Sequence, residues 1–125
     1  MSEVFSESSF LKKLFPLLAD NKRVSVPVGD DCAVFDCGDR QIVIGVDQLV
    51  ESKHYLVETD AVLAGRKLLA RNLSDVAAMG AKPTFAVISV AVSPDKSEEW
   101  LLDFHRGVVQ EAEKFDVCLI GGDLA

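Results

Sequence analysis

"DAVLAGRKLLARNLSDVAAMGAKPTFAVISVAV", residues 60–92, decides the fold class, because the hydrophobic period changes inside it. Over 60–79 the apolar residues 62, 69, 73 and 76 fall on one side at helical spacing. Thr59 or Asp60 can cap the start of this helix, and Gly80 with Pro83 beyond it is a natural stop. From Phe85 to Val92, "FAVISVAV" is an apolar run of strand length and reads as a buried strand.

Toward the C-terminus, Asp95 to Ser97 open another helix. Its apolar positions Leu101, Phe104, Val108, Ala112 and Phe115 advance by helical steps and predict an amphipathic element over 97–115. Val117–Ile120 is a last short strand before "GGDLA". Toward the N-terminus, residues 6–15 predict a short helix that Pro16 ends or kinks. "VSVPV", residues 24–28, is a strand whose Pro27 suits an edge. Cys32–Asp36 and Gln41–Val46 predict a hairpin around Gly38-Asp39. The order α, β-β-β, α, β, α, β implies α+β or mixed α/β: a small mixed sheet covered by helices on one face. A length of 125 residues implies one domain, 1–125. A buried strand running into "GGDLA" should lead into a second, C-terminal domain beyond this chain.

Forty-nine per cent of the residues are hydrophobic, enough for a packed core. Thirteen basic against 20 acidic side chains give a net charge of −7. That argues against nucleic acid or an anionic membrane as the main partner, since phosphate surfaces need a basic face. A small phosphorylated ligand is still compatible, because a divalent cation held by carboxylates can supply the positive charge. The longest nearly uncharged apolar stretch, Pro83–Pro94, is too short to span a bilayer, and "MSEVFSESSF" lacks the features of a signal peptide. Cys32, Cys37 and Cys118 are odd in number, without CxxC spacing or a histidine at ligand spacing. They read as reduced thiols packed in a cytoplasmic core rather than as a zinc site.

The carboxylates carry the chemistry. "VPVGDDCAVFDCGDRQIVIGVD", residues 26–47, places Asp30 and Asp31 after one strand and Asp47 after another. Asp123 follows "VCLI" and two glycines, and Asp75 sits inside the helix, three residues after Asn72. Strand ends are where ligands bind in mixed sheets, and carboxylates converging there can hold Mg²⁺. Gly121 and Gly122 would let a phosphate approach backbone N–H groups closely. Together these fit a nucleotide–magnesium site and phosphoryl transfer. Each feature alone has a plainer reading. "GDD" and "CGD" are ordinary turn sequences, and "GGD" is not a Walker A loop. His54 in "SKHYL" suits a surface loop, His105 a solvated helix position beside Phe104 and Val108, and Trp100 a packing role.

"GDDCAV", "DQLVESKHYL", "GRKLLARNLSDVAAMGAKP", "WLLDFHRGV" and "LIGGD", in that order and spacing from about residue 7 to 123, resemble the N-terminal domain of the thiamine-monophosphate kinase family. "NLSDVAAMGA" is the most specific block. The resemblance implies the fold shared with aminoimidazole ribonucleotide synthetase, selenophosphate synthetase and the hydrogenase-maturation proteins. In that fold two copies join their sheets into a barrel in a homodimer. It also implies transfer of the γ-phosphoryl of ATP to thiamine monophosphate, giving thiamine diphosphate, with several Mg²⁺ ions. Carried over residue by residue, Asp31, Asp47, Asp75 and Asp123 resemble the magnesium ligands, with Asp30 as a neighbour that orients them. His54 resembles a contact to the thiamine phosphate, and Gly121 and Gly122 resemble ATP-phosphate contacts. His105 stands where the family often has a tyrosine near the nucleotide. The chain departs from the family at Gly45 and Val46, where hydroxyl residues usually precede the Asp47 position, and at Leu124, where threonine is usual. Without its second domain the chain is expected to be inactive. The readings that compete are another ATP-dependent enzyme of the superfamily and a non-catalytic dimerisation domain.

Overall fold

A computed structural model describes residues 5–125, and these fall into two compact units, one closing at Ile44 and the other Gly45–Ala125. In the first unit, α1 (Glu7–Leu14) runs into a 3₁₀ turn, Phe15–Leu17, that takes up Pro16. Three strands follow: β1 (Val24–Val26), β2 (Ala33–Cys37) and β3 (Arg40–Ile44), antiparallel in the order β1-β2-β3. The β2–β3 hairpin pairs Val34 with Val43 and Phe35 with Ile42. Its turn needs Gly38, whose φ of 64° is costly for a residue with a Cβ. Cys32 and Val34 are buried in this unit.

The second unit holds α2 (Ala61–Ala78), β4 (Phe85–Val90), α3 (Glu98–Lys114) and β5 (Cys118–Leu124). Asp60 caps α2 by accepting from the Val62 and Leu63 N–H groups, and Gly80, at φ 68°, ends it. Ser97 caps α3 by accepting from the Trp100 N–H, with Glu98 and Glu99 complementing the helix dipole. α2 and α3 meet backbone to backbone at two glycines. A Cβ on Gly65 would stand 1.9 Å from the Phe104 carbonyl oxygen, and one on Gly107 2.0 Å from that of Val62. Around this contact lie Ala61, Ala64, Leu69, Phe104, Val108 and Ala112, with Val117 completing the core. Buried Glu111 accepts from Arg66 Nε at 2.9 Å.

α3 connects β4 to β5, which run parallel as such a crossover requires. Ala86, Ile88, Val90 and Leu119 turn toward the helices and pack on the core. Phe85 and Val87 point the other way and are 69 % and 73 % exposed. The helices thus cover one face of the pair, as the sequence predicts.

The element order matches the sequence reading; β1 and β4 each end two residues early, at Val26 and Val90, and four further details differ. The five strands do not form one mixed sheet: three make an antiparallel sheet and two a parallel one. β3 stops at Ile44 rather than Val46, and Asp47 instead has its backbone N–H and carbonyl bonded by a side chain of α2. β5 does not stop at Ile120 but continues through Gly121, Gly122 and Asp123 to Leu124. Gly122 makes that possible, since a Cβ there would lie 1.9 Å from the Ile88 carbonyl oxygen. Of the three cysteines only Cys32 is in a core; Cys37 and Cys118 are exposed, one beside a turn and one on the uncovered side of β5.

No helix among the described residues is long and apolar enough to cross a membrane.

Candidate functional site

Asp47 is held in the second unit through its backbone and its carboxylate together. Residues 68, 71, 72 and 75 of α2 line one face of the helix at its 3.6-residue period. From that face, Asn72 Oδ1 accepts the Asp47 N–H at 2.8 Å. Its Nδ2 donates to the Asp47 carbonyl at 3.2 Å and to its own helix at Leu68 O, 2.9 Å. The Asn72 amide therefore does for Asp47 what a neighbouring strand would otherwise do. Arg71 Nη2 bridges the two carboxylate oxygens at 3.2 and 3.3 Å, and the Gln48 N–H donates to Oδ1 at 2.9 Å. Arg71 Nε is buried without a hydrogen-bond partner.

The His54 loop lies beside this pair. Ser52 takes a left-handed φ of 65°, and its N–H donates to Tyr55 O at 2.7 Å. The Val50 N–H donates to His54 Nδ1 at 2.7 Å, while the Val50 carbonyl accepts the His54 N–H at 2.8 Å. Nδ1 is thus an acceptor, so the imidazole is the neutral tautomer with its proton on Nε2. Burial lowers the proton affinity of His54 below the ordinary histidine value, and the charges of Arg71, Lys53 and Lys67 lower it further, with Asp47 opposing them. The Lys67 ammonium donates to the His54 carbonyl. The far side of the loop is tied down by Glu51, which binds Lys96 Nζ at 2.6 Å and accepts from Tyr55 Oη at 3.3 Å. That contact is the main cause raising the Lys96 pKa, and Lys96 also stands 4.9 Å from the Trp100 ring centroid.

The other sequence-predicted residues stand as follows. Asp30 and Asp31 belong to the unit that closes at Ile44, where Asp30 Oδ1 accepts the Asp31 N–H at 2.7 Å next to Gly29 at φ 116°. That hydrogen bond joins neighbouring residues within a turn. Asp75 lies one turn beyond Arg71 and Asn72 on the same face of α2 and is half-buried. Asp123 is a strand residue, opposite Ser89 on the uncovered side of β4–β5, and Gly121 opposite Val87 leaves that side open. His105 bonds Leu101 O through Nδ1 at 2.8 Å and meets the Phe104 ring edge-on. It lines a shallow groove of about 340 Å³ with Leu102, Val109 and Glu113. A second cavity, of about 490 Å³, opens at the N-termini of α2 and α3 and contains none of these residues.

Oxygen donors of this kind suit Mg²⁺. As they stand they do not form a cation site. Among the described residues no three Asp, Glu, His or Cys side chains form a metal-holding group, and Asp47 is neutralised by Arg71. Sequence reasoning missed Arg71 and Lys67, which look like solvated helix cations. Their place on α2, Arg71 one turn before Asp75 and Lys67 one turn before Arg71, was the available signal. What the fold assembles is a carboxylate set among cations, Arg71 on it with Lys53 and Lys67 nearby, and a neutral His54 beside them. Such a place suits an anion with oxygen ligands.

The model of the family AIR synthase related protein, N-terminal domain, matches residues 29–125. The thiamine-monophosphate kinase of Escherichia coli (strain K12) is 35 % identical over 119 residues, which are 94 % of this chain and 36 % of that one. The chain therefore spans about a third of the length of the curated relatives it matches. The solved structure of AaThiL complexed with AMPPCP and TMP superposes with a TM-score of 0.80 at 26 % identity, over 94 % of this chain and 36 % of the other. That of thiamine-monophosphate kinase from Stenotrophomonas maltophilia K279a gives 0.64 at 36 % identity, over 85 % and 34 %.

Proposed function

The chain belongs to the AIR synthase related protein family, whose N-terminal domain it matches, and from that membership we propose that it is the ATP-binding and dimerisation domain of a cytoplasmic thiamine-monophosphate kinase. The likeness to curated kinases of that name over 94 % of the chain carries the reading. In the proposed reaction a phosphate oxygen of thiamine monophosphate attacks the γ-phosphorus of ATP. The bond to the β–γ bridging oxygen breaks, and thiamine diphosphate and ADP leave. Positioning and charge neutralisation dominate such transfers. His54 Nε2–H is available to donate to the substrate phosphate, and Lys67 and Arg71 supply positive potential around it. Gly121 and Gly122 are proposed for the ATP phosphates and His105 for the nucleotide. Mg²⁺ on Asp31, Asp47, Asp75 and Asp123, oriented by Asp30, is proposed for the assembled enzyme, and it requires Asp47 to leave Arg71. Since the chain covers about a third of its relatives, it is expected to show no turnover alone.

The test is a phosphoryl-transfer assay on the protein extended to the length of its relatives, with thiamine monophosphate and the substrates of the other superfamily enzymes offered in parallel. Selective formation of thiamine diphosphate is the expected result. Turnover of a different superfamily substrate, or of none, would overturn the proposal.

A further inference from the structure

We propose that Arg71 is a resident cation at the Asp47 carboxylate, which keeps this chain's affinity for divalent cations low until the guanidinium is drawn away. The inference rests on the reading of Asp47 as a cation ligand and adds a competitor for it. Both carboxylate oxygens, the atoms a hard cation would use, are contacted by Arg71 Nη2, at 3.2 and 3.3 Å. Asn72 holds the Asp47 backbone through its N–H and its carbonyl, and the Gln48 N–H donates to Oδ1, so the carboxylate is presented from a fixed point of the chain. The pair is about one-third exposed on each side, so the contact is more than a solvated surface pair. Arg71 itself is incompletely satisfied, with Nε buried and without a partner. It also has cations for neighbours, since Lys53 and Lys67 act on the same His54 imidazole as Arg71 does. A guanidinium so placed has reason to exchange its carboxylate for a phosphate-bearing anion, which offers more acceptors in the same field. Two events are then coupled: an anion that engages Arg71 uncovers Asp47, and a cation on Asp47 releases Arg71.

Titration calorimetry of the 125-residue chain with MgCl₂ tests the competition, comparing the unaltered protein with Arg71→Met, Arg71→Lys and Asp47→Asn. Removing a charge-assisted bridge to both oxygens should tighten Mg²⁺ binding about tenfold in Arg71→Met. Arg71→Lys, which keeps the charge, should stay near the unaltered affinity, and Asp47→Asn should lose the site. A second measurement is independent of any change in folding. The Arg71 Nε–H resonance of ¹⁵N-labelled unaltered protein should shift on addition of Mg²⁺, and more so with inorganic phosphate present. Equal affinities of the unaltered and Arg71→Met proteins, with Asp47→Asn weakened, would refute the competition while leaving Asp47 a ligand. Binding that survives Asp47→Asn, or no Mg²⁺ binding in any form, would remove both the competition and the ligand reading.

Discussion

His54 is the residue at which the local field is easiest to read in solution. Its proton affinity is lowered first by burial of the ring and then by three cations that stand near it against one carboxylate, and its Nδ1 accepts from Val50. Protonation would break the Val50 hydrogen bond and add a fourth positive charge. The folded-state pKa is therefore depressed below 6.5. A depressed value means that the unfolded chain binds the proton first. The stability contributed by His54 is therefore present above pH 6.5 and is lost as pH falls through the lower folded value. An NMR titration of the His54 Cε1–H signal should give a midpoint under 6.5, and His54→Gln should flatten this part of the stability–pH curve. A midpoint at or above 6.5 would mean that the Val50 contact does not hold Nδ1 as an acceptor. Asp47 stands out in the sequence by its position after an apolar run, and His54 only through the family resemblance. Arg71 and Asn72 do not, because a helical residue acquires its role only from what lies against it, and that is a contact across about two dozen residues of chain.

Among the elements, α2 and α3 decide whether the second unit can exist. Both are legible as helices from apolar spacing and end signals, and their caps fall where serine and aspartate allow. Their closeness is not legible, because an interior glycine reads first as a weak point in a helix. Gly65 and Gly107 are instead the places where one backbone touches the other. Alanine at either would raise helix propensity by about 1 kcal/mol. It would also put a methyl group some 2 Å from a carbonyl oxygen, forcing the helices apart. Overpacking of this kind costs about 1–3 kcal/mol, and here backbone rather than a flexible side chain must yield. Because backbone must yield, the steric cost lies in the upper part of that range, and Gly65→Ala and Gly107→Ala should each give a net loss of about 1–2 kcal/mol in chemical denaturation. An unchanged midpoint would show that the helices can slide apart without loss. The same proximity of backbones explains the misplaced end of β5. "GG" predicts a break, yet Gly122 has no side chain and so fits against the Ile88 carbonyl oxygen, which lets the strand run on.

At the scale of the whole molecule, the uncovered side of β4–β5 is the feature still to be accounted for. Strands alternate, so burying Ala86, Ile88 and Val90 on the helices forces Phe85 and Val87 outward. Ile120, at the irregular step between Leu119 and Gly121, adds to the exposed apolar surface at 59 % exposure. Large contiguous apolar exposure is uncommon on a protein that stays alone. Parallel strands in particular are normally covered on both faces. We propose a second copy of the chain as the cover, presenting the same face across a twofold axis so that each side protects the other. A stable pairing of that kind needs about 800 Å² from each partner. Val87, near the middle of β4 and 73 % exposed, is the residue to change, because its side chain makes little contact within its own unit. Val87→Lys should leave the far-UV spectrum and unfolding midpoint nearly unaltered while setting an ammonium against its symmetry mate or burying it without a partner. Sedimentation equilibrium should then show a dimer for the unaltered chain at micromolar concentration and a monomer for Val87→Lys. An unaltered chain that remains monomeric at high micromolar concentration would eliminate the sheet-to-sheet dimer. A Val87→Lys protein that still dimerises would move the interface to another face.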